Sequence, residues 1–403
     1  MKETTMNSTH RLQPELPAAR AHGTPSKTLA RLGRTLMLLG ALAALGAATP
    51  GSAQIASEVA AISFTANKAP VVNAFAFDVY RHLWLYSNVA HANTAAYTYL
   101  GSPKGGISGD TGPSAVTYLS GKIQYQYTFV AGADGNLYVC WYNGKWQWAN
   151  QGKPGVKVTG FPSALLYTDT AGVHIHCFIV GADNNLYDNN WTGRKWSWTN
   201  LGNGGALPEA PTCTTCVVRG VRHIHVFATT QSGDLYRCSM INGVWSWSNQ
   251  GNPDAGAFFT PTLMAASTVS YVNQNSEFIY AFTVGSDGAL YVNSFDGHAW
   301  SWTNQGSPGT GAQGTAQAVA YSDGAGLKLY CFVNGGGDLY VNYWNSGWHW
   351  ANQGASQADP TCAVSFNVGG VRQIYAFAVG GTKGAVCNYW NGGQWDWIVF
   401  PTP

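Results

Sequence analysis

Tryptophan, asparagine and glutamine recur in this chain at one fixed spacing that would suit a neutral polar ligand. In four copies an Asn follows a Trp by two residues and a Gln comes next. The four complete trios are Trp148, Asn150, Gln151; Trp247, Asn249, Gln250; Trp302, Asn304, Gln305; and Trp350, Asn352, Gln353. An indole ring can stack on the C–H face of a sugar while amides bind the hydroxyls around its rim. The spacing therefore predicts carbohydrate-binding pockets.

Further aromatic residues accompany each trio and extend the predicted sites. A second Trp lies two residues before the first, and a Tyr follows the Leu that begins the preceding strand. The remaining predicted binding residues are Tyr138, Trp146, Trp196, Trp198, Tyr236, Trp245, Tyr291, Trp300, Tyr340 and Trp348. Repeated Trp also packs neighbouring units together, so packing is the favoured role for any single Trp. We expect working sites in the four copies that keep both Trp and the Asn-Gln pair, and weak or no binding in the copy with Tyr97 and Tyr99.

Two other patterns could bind a metal but are better explained as framework. The pairs His174/His176 and His223/His225 occupy equivalent places in adjacent copies, and other copies carry Tyr in place of His176 and His225. Such a position needs an aromatic body with a polar tip. The sequence 213–216 reads Cys-Thr-Thr-Cys, but adjacent strand residues point to opposite faces, which would separate the two sulfurs. No metal and no cofactor are therefore expected.

Acidic residues are few, and most are explained by turns. Asp134, Asp183 and Asp287 recur at the same turn, where Asp favours the local backbone conformation. Glycoside hydrolysis would need two carboxylates facing each other across the sugar. A hydrolase is therefore a minor alternative, and no catalytic residue is predicted.

The first 53 residues differ from the rest and have the pattern of a leader. Arg31 and Arg34 precede an apolar run over 35–48, and Gly51, Ser52 and Ala53 follow. A basic region, a short apolar run and small residues are typical of a secretory signal peptide, with removal expected near Ala53. An uncleaved signal anchor is the alternative. We expect a secreted protein.

The charge that remains after the leader is nearly balanced. The leader holds six of the 21 basic and two of the 19 acidic residues, so 15 and 17 remain, a net charge of −2. A surface with so little charge does not favour nucleic acid. No membrane insertion is expected beyond the leader. Six of the eight Cys share three equivalent places in different copies, which leaves buried thiols and disulfides equally open.

Behind these residues is a unit of roughly 50 residues that occurs seven times and reads as four short strands. The units are predicted at about 57–106, 107–157, 158–205, 206–255, 256–310, 311–356 and 357–403. Four-stranded units in sevens predict an all-β fold, a closed seven-bladed β-propeller of antiparallel blades over 57–403. A two-residue turn at Asn143-Gly144 would pair Trp141 with Trp146, which would put a Trp face and a Tyr face on opposite sides of each blade.

The repeat also resembles a known family. The segments DGNLYVCWYNGKWQWANQG from Asp134 and DGALYVNSFDGHAWSWTNQG from Asp287 are similar to the repeat of the PLL-type bacterial lectins. The resemblance covers all seven copies. It implies a seven-bladed propeller that binds fucose and related O-methylated glycans between blades, without metal or catalysis, and that assembles as a homodimer or homotetramer. The alternative is a propeller scaffold for protein interaction or adhesion that binds no sugar.

Overall fold

The computed structural model describes residues 55–87, 96–205, 210–230, 233–253, 266–323, 326–355, 359–380 and 384–400. The predicted leader over 1–53 lies outside these residues. Within them the secondary structure is entirely β, with 28 strands in seven sheets. This part of the chain contains no helix that is long and apolar enough to cross a membrane.

Each sheet is one blade of four consecutive antiparallel strands, which confirms the predicted fold class of a seven-bladed β-propeller. Blade 1 contains β1 Ile55–Ala66, β2 Ala69–Asp78, β3 Leu83–Ser87 and β4 Ala96–Gly101; blade 2 contains β5 Ser114–Ser120, β6 Ile123–Ala131, β7 Leu137–Tyr142 and β8 Trp146–Gly152; blade 3 contains β9 Val158–Asp169, β10 Gly172–Gly181, β11 Leu186–Trp191 and β12 Trp196–Gly202; blade 4 contains β13 Thr212–Val218, β14 Val221–Thr229, β15 Leu235–Ile241 and β16 Val244–Gly251. Blade 5 contains β17 Ser267–Asn273, β18 Ser276–Val284, β19 Leu290–Phe295 and β20 Trp300–Asn304; blade 6 contains β21 Ala312–Asp323, β22 Gly326–Gly335, β23 Asp338–Trp344 and β24 Trp348–Ala355; blade 7 contains β25 Asp359–Val368, β26 Val371–Gly380, β27 Gly384–Trp390 and β28 Trp395–Val399.

The ring closes where blade 7 meets blade 1. The backbone N–H of Val59 donates to Thr361 Oγ1 at 3.2 Å across this junction. Phe400 lies between the two blades, with its ring centroid 5.8 Å from that of Phe377 and 5.2 Å from that of Tyr86. An aromatic residue at the end of the described chain therefore completes the last interface.

The first strands of all seven blades surround the axis, where they line a cavity of about 240 Å³. Its lining is mostly small residues such as Ser114, Ser163 and Ser267, with Glu58 as the acid. Burial raises the pKa of Glu58 to about 8, although the nearby Arg81 opposes the shift. Glu58 is therefore largely protonated at neutral pH.

The predicted pairing within the outer hairpin is wrong by one residue. In blade 2, Tyr142 pairs with Trp146 and Cys140 pairs with Trp148. The loop contains three residues, 143–145, and Gly144 adopts a φ of 109° that suits glycine. A loop longer by one residue moves the partner side chains to the other face of the sheet.

This register puts the Tyr and both Trp on the same face of the blade, and that face packs against the preceding blade. Tyr138, Trp146 and Trp148 all contact the cluster that contains Phe75 and Phe77 of blade 1. Blades 3 to 6 repeat this register, and blade 7 has Val386 in place of the Tyr. The separate Trp and Tyr faces expected from the sequence are therefore one face.

The first Trp of each Trp-x-Trp pair packs edge-on against a Phe of the preceding blade. The ring centroids are 5.7–5.9 Å apart in six interfaces: Phe75–Trp146, Phe129–Trp196, Phe178–Trp245, Phe227–Trp300, Phe282–Trp348 and Phe332–Trp395. An edge-to-face aromatic pair contributes about 0.5–1.5 kcal/mol beyond area burial. This contact is a repeated lock between blades.

The second Trp makes a repeated hydrogen bond to the same neighbour. Its indole Nε1 donates to the backbone carbonyl of the preceding copy, at the residue in the Gln position of the trio. The six bonds, of 2.6–2.9 Å, run from Trp148 to Leu100, Trp198 to Gln151, Trp247 to Leu201, Trp302 to Gln250, Trp350 to Gln305 and Trp397 to Gln353. Because the acceptor belongs to the backbone, Leu serves in this position as well as Gln.

Candidate functional site

The Asn of each predicted trio holds the local backbone together. In blade 2, Asn150 Oδ1 accepts the Gly152 N–H at 2.6 Å, and Asn150 Nδ2 donates to Tyr138 Oη at 3.2 Å. Tyr138 in turn donates to Asp134 Oδ2 at 2.7 Å. The Asn-to-Tyr bond recurs in blades 3 to 6, from Asn200 to Tyr187, Asn249 to Tyr236, Asn304 to Tyr291 and Asn352 to Tyr340.

The acid of this chain of bonds is a turn residue, as the sequence indicated. Asp134 Oδ1 accepts the Asn136 N–H at 3.0 Å, which is the geometry of a side chain that closes its own turn. Burial would raise its pKa, but hydrogen bonds from Tyr138 and Asn136 outweigh burial and hold the pKa of Asp134 below its usual value. Asp134 is therefore an ionised acceptor at neutral pH, not a general acid.

Three predicted residues of blade 2 do meet at an open pocket, which we call the Trp148 pocket. Trp148, Tyr138 and Asn150 line it together with Lys104 and Gly105 from the loop that follows blade 1, and its volume is about 500 Å³. Gly105 packs so closely on Tyr138 and Asp134 that a Cβ would collide with both. The pocket therefore combines an aromatic wall, an exposed amide and a loop of the neighbouring blade.

A second opening between the same blades lies along the other Trp, and we call it the Trp146 groove. It has a volume of about 420 Å³. Trp146 and Tyr142 form its aromatic side, with ring centroids 5.2 Å apart. Gln126 and Asn73 form its polar side, where Asn73 Nδ2 donates to Gln126 Oε1 at 2.8 Å. The polar side and the aromatic side of the groove are thus both in place without a ligand.

The rim of the Trp146 groove adds groups able to bind hydroxyls. Gln124 lies beside Gln126 on β6 and donates to Thr117 Oγ1 at 2.8 Å, and Thr98 and Lys122 complete the rim. Amide, hydroxyl and ammonium groups therefore surround an aromatic platform, an arrangement that binds a neutral polyhydroxyl ligand better than it would perform acid-base chemistry.

This groove exists because two residues differ from their counterparts in the other blades. The place of Asn73 is taken elsewhere by Tyr127, His176, His225, Tyr280, Tyr330 and Tyr375, and the place of Gln126 is taken in blades 3 to 7 by Ile175, Ile224, Ile279, Leu329 and Ile374. Between blades 6 and 7, Tyr330 packs against Trp395 with ring centroids 6.4 Å apart. Asn73 leaves the corresponding space beside Trp146 open.

The other predicted residues occupy equivalent positions in their own blades. The remaining Trp residues of the predicted set are half-buried in the interfaces described above, and the Gln side chains play no part in the two openings. Gln250 Nε2 donates to Ser248 Oγ at 2.8 Å, and Gln305 Nε2 is buried without a hydrogen-bond partner. The Asn and Gln of the trio thus mainly stabilise the framework, whereas the Trp residues face the openings.

Apart from Trp146, the residues of the Trp146 groove were not among the sequence predictions, and Asn73 and Gln126 are the most informative of them. The signal that could have found them is their departure from the repeat, because Gln126 breaks a column of aliphatic residues and Asn73 breaks a column of aromatic ones. Comparing copies for what they share finds the framework, whereas a site used by one interface differs from it.

The cysteines are thiols, and the Cys-x-x-Cys pair is divided between two interfaces. All eight cysteines are free. Cys213 Sγ lies 3.1 Å from Ser163 Oγ of blade 3, whereas Cys216 Sγ lies 2.7 Å from Glu277 Oε1 of blade 5. Burial raises the pKa of both thiols well above the usual value.

Comparison with known proteins shows the fold. No protein-family model matches the chain, and no curated protein matches it. Among solved structures, the BP39L lectin from Burkholderia pseudomallei aligns with a TM-score of 0.63 at 17% identity, over 86% of this chain and 99% of its own. The Aleuria aurantia lectin, described as a six-bladed β-propeller, aligns with a TM-score of 0.52 at 14% identity, over 73% of this chain and 97% of its own. A mutant of that lectin, solved in complex with α-methyl-L-fucoside, aligns with the same values. A mutant of AofleA from Arthrobotrys oligospora aligns with a TM-score of 0.52 at 14% identity, over 75% of this chain and 93% of its own.

Proposed function

We propose that this chain is a secreted, multivalent, non-enzymatic lectin that binds neutral sugars between its blades, with fucose and related O-methylated sugars as the ligand class. The observation that carries the proposal is the Trp146 groove. A half-buried Trp and a Tyr face two amides across an opening of about 420 Å³. That volume lies within the range of small-ligand pockets. Propellers of similar fold include lectins solved with fucosides, which supports this choice of ligand.

The chemistry of the groove favours a sugar over a charged ligand. Gln126 is 6% exposed and Asn73 4% exposed, so their amides are fixed and nearly dry before a ligand arrives. A hydroxyl that bonds to such groups replaces little water, while the C–H face of the ring covers Trp146. A methyl group on a sugar oxygen would add apolar contact to the aromatic wall.

Repetition of the aromatic pair around the ring supports multivalent binding, although only the blade 1–2 interface combines this pair with Asn73 and Gln126. Six interfaces place a Trp-x-Trp pair at the surface between two blades. Weak sites on one ring reinforce each other on a surface coated with glycans, because the second binding event is intramolecular. We expect sites of unequal affinity, the one between blades 1 and 2 being the strongest.

Calorimetric titration of the mature chain with methyl α-fucoside and its O-methylated derivatives, in buffer that contains EDTA, tests the proposal. We expect saturable binding that does not require a divalent metal. Gln147→Ala is the control variant and should bind sugar as the wild type does, because Gln147 pairs with Trp141 and so faces away from the groove. Binding of no neutral sugar in this assay and on a glycan array would leave the scaffold function in its place.

One observation favours that scaffold as the second candidate. The Asn side chains and the Gln carbonyls of the trios are used by hydrogen bonds that hold the blades. Conservation of the trio from copy to copy could thus serve the ring alone. The departure from the repeat at Asn73 and Gln126 is what favours a ligand, because the framework does not need it.

Export is part of the same proposal and is motivated by residues 31–53. N-terminal sequencing of protein collected outside the producing cells should begin close to Gln54. An exported chain that still carried the leader would contradict removal and favour the signal anchor.

A further inference from the structure

Four side chains that are able to bind a transition metal meet between blades 4 and 5. Cys216 on β13 and His223 on β14 are directly opposite each other in the strand register, so they share a face. His225 lies two residues further along the same face, and Glu277 reaches them from β18. The cluster is nearly dry, with Glu277 7% and Cys216 9% exposed.

The ligand atoms converge on one point. Cys216 Sγ, a ring nitrogen of His223 and a carboxylate oxygen of Glu277 all lie within 4.8 Å of one another. Cys216 Sγ is 2.7 Å from Glu277 Oε1, and His223 Nδ1 is 3.1 Å from Glu277 Oε2. A thiolate, an imidazole nitrogen and a carboxylate oxygen are the ligands that Zn²⁺ takes in proteins.

His225 has the position of an outer residue that orients a ligand. Its Nε2 lies 2.8 Å from Glu277 Oε1 and its Nδ1 lies 2.8 Å from Ser239 Oγ. The ring of His225 is thus held between the Ser239 hydroxyl and the Glu277 carboxylate. Such second-layer hydrogen bonds fix the ligands of metal sites.

Comparison with the neighbouring interface shows that the framework does not require this cluster. Blade 3 carries the equivalent pair His174 and His176 towards blade 4. There Tyr167 takes the place of Cys216 and Arg222 takes that of Glu277, with the guanidinium 4.3 Å above the Tyr167 ring. Between blades 6 and 7, Arg372 likewise lies 4.6 Å above Tyr321. The blade 4–5 interface replaces this cation–aromatic pair by a thiol and an acid, so His223 and His225 there lie beside Cys216 and Glu277 instead.

Two arginines act electrostatically on the cluster, but neither pairs with its carboxylate. Arg222 stacks on Tyr167 on the opposite side of blade 4, and Arg237 stacks 4.7 Å above Trp300. Among the residues that the structure describes, the ion pairs of Glu277 are to the two His residues, and neither arginine lies within ion-pair distance of it. A thiolate and a carboxylate together balance the charge of one divalent ion.

We propose that Cys216, His223 and Glu277 bind one Zn²⁺ that joins blade 4 to blade 5, with His225 orienting the carboxylate and water in the fourth position. On binding, the Cys216 thiol loses its proton to the buffer and its sulfur lone pair forms the bond to the metal. The site is separate from the proposed sugar groove, which lies between blades 1 and 2. Its role is to hold the ring, so sugar binding in EDTA remains compatible with it.

Titration of the reduced, metal-free mature chain with Co²⁺ tests the site. A thiolate ligand gives a near-ultraviolet sulfur-to-cobalt charge-transfer band, and Zn²⁺ should abolish that band by displacement. We expect one equivalent of metal, release of about one proton per metal in buffers of different ionisation enthalpy, and a higher melting temperature with Zn²⁺.

Matched variants separate a metal site from general loss of structure. Cys216→Ser should remove the band, and both Cys216→Ser and Glu277→Gln should weaken binding by at least about 100-fold, beyond the effect of an outer-layer residue. Cys213→Ser, on the same strand but facing blade 3, should bind metal as the wild type does. Circular dichroism reports folding for each variant. Absence of the band in the wild type, an equal loss in Cys213→Ser, or wild-type affinity in a folded Glu277→Gln variant would overturn the proposal.

Discussion

Converting the blade 1–2 interface to the pattern of its neighbours should remove one sugar site while the propeller stays folded. The double variant Asn73→Tyr with Gln126→Ile introduces the residue types that Tyr330 and Ile374 supply between blades 6 and 7. The new phenol ring would lie beside Trp146, as Tyr330 lies beside Trp395 at 6.4 Å. The two substitutions would thus fill the Trp146 groove and remove the amides of Asn73 and Gln126.

The energetic terms of this double variant nearly cancel. Either substitution alone breaks the 2.8 Å hydrogen bond between the buried amides of Asn73 and Gln126, at a cost of about 1–3 kcal/mol. Together they remove both partners, which is close to neutral, and the new aromatic contact adds about 0.5–1.5 kcal/mol. We expect each single variant to be less stable than the double variant. The coupling should be about 2–6 kcal/mol, because the double variant avoids the costs of both single variants.

Two measurements on the same samples check this reasoning. Chemical denaturation gives the free energy of unfolding of the wild type, both single variants and the double variant. Calorimetric titration with methyl α-fucoside gives the number of bound sugars, which should fall by one in the double variant. A folded double variant with unchanged stoichiometry and affinity would show that the Trp146 groove is not the site, and additive stabilities would show that the two amides are not coupled.

Three further outcomes are expected. Trp198→Phe should lower the free energy of unfolding by about 1–2 kcal/mol, because the hydrogen bond of 2.9 Å from the indole to the backbone of Gln151 is lost. Gln151→Ala should change the free energy of unfolding by less than about 0.5 kcal/mol, and a larger loss in chemical denaturation would mean that the Gln151 side chain matters. Asn150→Ala should cost about 1–2 kcal/mol, because its amide bonds both Gly152 N–H and Tyr138, and an unchanged melting temperature would contradict that role. Because the pKa of Glu58 is raised to about 8, the folded chain keeps a proton that the unfolded chain loses above about pH 4.5. The free energy of unfolding should therefore fall as pH rises from 4.5 to 8, by up to about 1.4 kcal/mol per pH unit. Glu58→Gln should flatten that slope, and identical pH profiles for the two proteins would refute the assignment.

The strand content and blade count were readable because they depend on local and repeated signals. Alternating residues such as those of Leu137–Tyr142, followed by Asn-Gly and a Trp-x-Trp strand, specify a hairpin within a few residues. Seven copies of that signal predict seven blades. The leader prediction also rests on local pattern, and the described residues do not include it.

The face of each side chain was less readable because it depends on loop length. Asn143-Gly144 predicted a two-residue turn, but Lys145 also belongs to the loop, so Trp146 pairs with Tyr142 instead of Trp141. The count of loop residues decides which face the Trp residues occupy. Blade 4 has the two-residue form at Asn242-Gly243, and its Trp245 nevertheless shares the common face because its strand is one residue longer.

By itself, then, the sequence determined an all-β ring of seven similar blades and the residue types available for binding. The tertiary structure decided which of those residues meet. Asn73 contacts Gln126 across 53 residues of chain, and Cys216 contacts Glu277 across 61. These contacts join different blades, so they depend on the orientation that packing gives to two sheets, and no pattern within one repeat encodes it. Local hydrogen bonding and alternation build each blade, whereas the interfaces form only when the closed ring brings the faces of two blades together.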